Sequence, residues 1–164
     1  MPLPAGLPFF MPHEVETFFA SRWKPINEVS LIPNKFPGNY LIAWSAQHLA
    51  GRVILPQDVE YVGMSKRKEG VRQRIKDFIK CTEGKTGHSG GETFYKKYCN
   101  NTPLSRNNHA NKLYFVEMTF PCNVLKLTRT PQDLLIMGKV CLLELELLAY
   151  IRHFTGWEPA CNTK

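Results

Sequence analysis

Tyr40-Leu41-Ile42-Ala43-Trp44 and Val59-Glu60-Tyr61-Val62-Gly63-Met64 are the two stretches on which the reading of this chain turns. Both are short, apolar and rich in β-branched and aromatic residues, a composition that suits a pleated, half-buried surface. Pro33, Pro37 and Gly38 mark a turn just ahead of Tyr40. About 14 residues separate the two runs, long for a hairpin loop. Lys112 to Phe120 (K-L-Y-F-V-E-M-T-F) reads as a third and clearer strand.

Helical spacing surrounds these strands. Gly70 opens a helix over Val71 to Cys81, whose apolar stripe is Val71, Ile75, Phe78 and Ile79. Thr130-Pro131-Gln132-Asp133 has the form of a helix start, with Pro at the first helical position and an acid at the third. A long apolar helix is expected from there to about Phe154, broken near Gly138. Pro12 to Trp23 reads as a short helix through Val15, Phe18 and Phe19, stopped by Pro25. Glu83 to Glu92 is a Gly-rich loop, Thr93 to Tyr98 is ambiguous, and Asn100 to Asn111 is loop-like. The expected fold is α+β: a small, mainly antiparallel three-stranded sheet flanked by helices. An N-terminal arm with a short helix would occupy residues 1–37, and one domain residues 38–164.

Composition agrees with a globular chain. The 164 residues are 43% apolar and 21% charged, enough for one core without staples. Twenty-one Lys and Arg face 14 Asp and Glu, leaving +7, which favours an anionic partner, nucleic acid first. The five Cys show no C-x-x-C pair, so neither a zinc ribbon nor a thioredoxin-type site is supported. Met1 to Pro12 holds four Pro and no basic residue, unlike a secretory signal, and reads as an extended arm. The longest apolar run, Leu134 to Ile151, carries Lys139, Glu144 and Glu146, too many charges for a membrane span. A soluble, cytoplasmic protein is expected.

Two polar residues break the packing pattern. Arg74 lies beside Ile75 and has Val71 and Phe78 three and four residues away, at the edge of the apolar stripe. It either snorkels with its stem buried or serves a site. Arg72, Lys76 and Lys80 run along another face, either as solvated surface or as a phosphate-contacting stripe. Glu144 has Val140, Cys141, Leu147 and Leu148 as helical neighbours, whereas Glu146 shares its side with Lys139 and His153. A carboxylate in an apolar stripe is costly unless a metal, an Arg or a Lys compensates it.

Gly38-Asn39-Tyr40, Tyr61-Val62-Gly63, the Arg74 helix and Glu144 in L-E-x-x-L-L stand in an order that resembles the GIY-YIG nuclease family. The resemblance covers about residues 38–162. Asn39 stands at the middle of the first motif where the family has Ile, and Phe78 where many members have His. Tyr40 and Tyr61 are 21 residues apart. Pro159-Ala160-Cys161-Asn162 is similar to the family's closing Pro-x-x-Asn segment, but Asn162 lies 18 residues past Glu144. These departures suggest a divergent branch, with the restriction endonucleases as the nearest comparison.

The resemblance implies metal-dependent hydrolysis of phosphodiester bonds in double-stranded DNA, with a homodimer expected if both strands are cut. Glu144 would hold one divalent cation, Mg2+ or alternatively Mn2+. Arg74 would contact the scissile phosphate. Tyr40 and Tyr61 would flank the attacking water, Tyr40 the preferred base; otherwise both are half-buried strand aromatics. Asn162 is a further candidate. The Gly84–Gly91 loop offers Lys85 to a phosphate and His88 as an alternative base, or is surface only. Lys96 and Lys97 between Tyr95 and Tyr98 combine charge with stacking surface. The rival readings are a basic nucleic-acid-binding domain without hydrolysis, and a partner-binding domain whose Tyr and Glu merely pack.

Overall fold

The computed structural model describes residues 11–163. The chain runs through α1 (His13–Ala20), β1 (Lys24–Pro25), β2 (Gly38–Ser45), β3 (Val59–Ser65), α2 (Gly70–Thr82), α3 (Ser89–Phe94), β4 (Lys112–Thr119) and α4 (Pro131–Thr155). The strands form one antiparallel sheet in the order β1-β4-β2-β3, flanked by helices. The expected sheet had three strands. The fourth, β1, is only two residues long and pairs Lys24 with Phe115 and Pro25 with Tyr114. So short an edge has no periodicity to detect, and its Pro argues against a strand from sequence.

Alternation along β2 sorts the core into two layers. Leu41 and Ala43 face α1 and α4, meeting Val15, Phe18, Leu143, Leu147 and Ile151. Tyr40 and Ile42 face the other way, toward Val71, Ile75 and Phe78 of α2 and Phe94 of α3. Residues 13–20, expected in the arm, therefore pack into the same core as the sheet, and Met1–Phe10 of that arm lies outside the described residues. The long β2–β3 connection sends Leu49 and Ile54 into that core, which accounts for its length.

Two local expectations change. Gly138 does not break α4, which runs unbroken for 25 residues from a Thr130–Asp133 capping box. A mid-helix Gly costs only about 1 kcal/mol relative to Ala, less than the caps and the packing of Val140, Leu143 and Leu147 return. The Gly-rich stretch is not a loop to Glu92, since α3 begins at Ser89 and its Gly90 and Gly91 are buried. There Gly serves close packing. No helix among the described residues is long and apolar enough to cross a membrane.

Candidate functional site

Four elements and the C-terminal segment meet around a cavity of about 250 Å3. Tyr61 of β3, Arg74 of α2, Ser89 of α3, Glu144 of α4 and Asn162 all line it. Asn162 is carried there by a turn after α4, where Gly156 adopts φ 84. Its side chain receives the Val62 N–H at 2.8 Å and donates to the Val62 carbonyl at 2.8 Å. The Cys161 N–H adds a bond to the Glu60 carbonyl at 3.0 Å. The C-terminal segment thus covers the free edge of β3 and becomes one wall of the cavity.

Tyr40 is close by but does not line the cavity. It is 0% exposed and lies beneath Tyr61, the two rings 6.0 Å apart. This placement needs two glycines. A Cβ on Gly63 would stand 2.5 Å from the Tyr40 ring, and one on Gly90 would stand 2.3 Å from the Tyr61 ring.

His88 closes the chain of groups behind Tyr40. It is 0% exposed and caps α3, its Nδ1 accepting the Gly91 N–H at 3.1 Å. A backbone N–H can only donate, so Nδ1 is unprotonated and the neutral ring carries its hydrogen on Nε2. Nε2 therefore donates to the Tyr40 hydroxyl at 2.6 Å. Burial, and then the Arg74 charge, hold the His88 pKa down to about 3, so the ring is neutral near pH 7. Tyr40 and Ser89 both act on the Tyr61 phenol to lower its pKa, and Tyr61 in turn helps to raise that of Tyr40.

The charges of the cavity oppose one another. Burial pushes the Glu144 carboxyl up, while Arg74 and Lys66 pull it down. Among the described residues Glu144 makes no hydrogen bond and no ion pair within 4 Å, although it is half-buried. Burial and then the Glu144 charge raise the Tyr61 pKa, and Arg74 lowers it. Burial raises Tyr40 well above the usual phenol range. Arg74 spends one donor on the Gly87 carbonyl, at 3.2 Å, and its guanidinium still lines the cavity. Among the described residues, no three His, Cys, Asp or Glu cluster as a metal cage. A single half-buried, unpaired carboxylate suits an ion that keeps most of its waters and completes its shell from a phosphate.

The structure thus brings Tyr61, Arg74, Glu144 and Asn162 to one cavity, with Tyr40 and His88 as its inner support. The other basic candidates are dispersed. Arg72 donates to the Ile32 carbonyl, Lys80 lies 3.7 Å from Asp77, and Lys97 lies over the Tyr98 ring. Lys76 is half-buried, and Lys85 and Lys96 are exposed. Sequence reasoning passed over three residues. Lys66 follows β3 and acts on Glu144; the run Lys66-Arg67-Lys68 beside the Y-V-G strand was the available signal. Ser89 carried none, and Asn39 was visible only as the departure from Ile in the first motif. Asn39, fully buried, donates from Nδ2 to the Val140 carbonyl at 2.9 Å, one turn before Glu144. No family model, curated protein or solved structure matches this chain.

Proposed function

We propose that this chain is a divalent-metal-dependent endonuclease that hydrolyses phosphodiester bonds in double-stranded DNA. One observation carries the reading. Tyr61, Arg74, Glu144 and Asn162, chosen from a motif order spread over a hundred residues, line a single cavity. A domain that only binds phosphate has no use for an unpaired carboxylate there.

Glu144, with the substrate phosphate, would hold Mg2+ or Mn2+. The ion would supply charge neutralisation at the phosphate and remove the upward push of Glu144 on Tyr61. Arg74 binds the scissile phosphate through the donors that Gly87 leaves unused, a geometry suited to a planar fork. Tyr61, the tyrosine at the cavity wall, takes the proton of the attacking water. Tyr40 and Ser89 favour its phenolate, against burial and the Glu144 charge, which together raise its pKa. This reading moves the base from Tyr40 to Tyr61. Tyr40 and His88 are positioning residues, because neither reaches the cavity. His88 lies edge-on to Phe78 at 5.3 Å, so the imidazole enters from α3 and occupies space beside the residue where related nucleases carry His. Asn162 anchors the outer wall.

Supercoiled plasmid incubated with the protein and Mg2+ tests the reading. Nicked or linear product that EDTA suppresses supports it. Binding without cleavage in Mg2+ and in Mn2+ selects the basic binding domain instead.

A further inference from the structure

A second cavity, of about 370 Å3, lies at the other edge of the sheet. Pro25 of β1 lines it, whereas Tyr61 and Met64 of β3 line the first, and β4 and β2 stand between those two strands. The two cavities share no residue. The β2–β4 ladder stops at Ser45 and Lys112. The second cavity sits at that end, with Trp44 from one layer of the core and Tyr114 from the other. The Trp44 ring is held edge-on against Phe94 at 5.2 Å and against His109 at 5.7 Å. The aromatic walls are therefore set before any ligand arrives, which lowers the ordering cost of binding.

The polar groups on those walls are unspent. Tyr114 is only 3% exposed, yet its hydroxyl hydrogen-bonds to no described residue. A buried Tyr hydroxyl ordinarily has a partner. The Trp44 indole N–H and the side-chain amides of Asn27 and Asn111 also hydrogen-bond to no described residue, and Lys112 makes no ion pair among them. No carboxylate lines the cavity. An apolar cleft with a few convergent polar groups is the usual form of a small-ligand site. Aromatic walls take a planar ring by stacking. Side-chain amides offer a donor beside an acceptor, the pattern that matches a base edge. An unpaired lysine at the rim suits a phosphate. An aliphatic ligand would leave the amides and the phenol unpaired, and a simple anion would leave the aromatic walls bare.

We propose that this cavity is a nucleotide-binding site, separate from the hydrolytic one. The base lies against Trp44, Asn27 and Asn111 meet its edge, and Lys112 holds its phosphate. The Tyr114 hydroxyl gains in the ligand the partner that the protein does not give it. The site needs no metal, and it does not rest on the chemistry assigned to the first cavity. The same recognition serves a free nucleotide and an unpaired nucleotide of a DNA strand.

Isothermal titration with the 5′-monophosphates of the common nucleosides and deoxynucleosides, in EDTA, tests this. At least one should bind saturably, with a dissociation constant below about 1 mM. Lys112→Ala, Asn27→Ala and Tyr114→Phe should each weaken that binding about three- to tenfold. Lys112 and Asn27 are exposed and Tyr114→Phe keeps the ring, so the fold should persist, and circular dichroism checks it. A short single strand carrying the preferred base separates the two sources. If Tyr114→Phe weakens its binding by the same factor, bases of a strand enter the cavity; if the loss is confined to the mononucleotide, the ligand is a free nucleotide. No saturable binding of any monophosphate overturns the proposal, as does unchanged affinity in folded Lys112→Ala and Tyr114→Phe. Plasmid cleavage is scored separately, so failure here and failure of the hydrolytic reading are told apart.

Discussion

The five residues nearest the chemistry divide by depth. Tyr61, Arg74 and Glu144 line the cavity, and Tyr40 and His88 support it from below. Tyr61→Phe should therefore lower cleavage by about 10²- to 10⁴-fold, the range for a positioned base, with little change in melting temperature. Tyr40→Phe should cost less, since Tyr40 acts on Tyr61 from beneath the cavity and is not itself the proposed base; steady-state rates on one oligonucleotide compare them. His88 makes a stability prediction as well. Its pKa is about 3 in the fold and about 6.5 when unfolded. Between those values the unfolded chain binds the extra proton, so stability is full above about pH 6.5 and is lost as pH falls toward 3. The slope is about 1.4 kcal/mol per pH unit. Urea titrations at pH 7, 6, 5 and 4 should show this loss in the wild type, and His88→Asn should lack that part of the slope. Equal slopes would place the His88 ring in water. Arg74 and Glu144 were legible in the sequence because each breaks an apolar stripe. The depth of Tyr40 was not legible, because β2 alternation gives the face of a residue but not what covers it.

At the scale of elements, α2, α4 and the three longer strands follow from periodicity, and their ends agree with the structure to within a few residues. The α3 region was misread because Gly carries two meanings. Gly90 reads as flexibility in a sequence, whereas here it admits the Tyr61 ring at a distance no Cβ allows. Gly90→Ala should accordingly force that ring aside, destabilise the fold by about 1–3 kcal/mol as overpacking does, and lower cleavage together with stability. Thermal melts and rates measured on the same preparation check it. The capping box of α4 is a contrasting case. It was visible as Thr130-Pro131-Gln132-Asp133, and both of its hydrogen bonds form. Thr130→Ala should cost about 1 kcal/mol and leave the cavity rates unchanged, because the cap lies three turns and more from Glu144.

For the molecule as a whole, charge and topology carry different parts of the account. The +7 net charge predicts DNA binding that weakens steeply with salt, log Kd rising about 0.9 per log unit of salt for each phosphate neutralised. Fluorescence anisotropy between 50 and 200 mM salt should show it, and a flat response would remove the electrostatic part. Topology brings the chemistry together: an edge strand, two helices and a returning C-terminal segment close one cavity around residues 61, 74, 144 and 162. That convergence was legible only through motif order, since the 18 residues from Glu144 to Asn162 say nothing of the turn that brings Asn162 back onto β3. Glu144 is proposed to hold the metal ion for hydrolysis through its half-buried carboxylate, and this role decides the function. Its most direct test is Glu144→Gln assayed with Mg2+ for plasmid cleavage and, in parallel, for DNA binding. Cleavage should be abolished while binding persists, because the basic surface is untouched. Cleavage at the wild-type rate by a folded Glu144→Gln protein would contradict it.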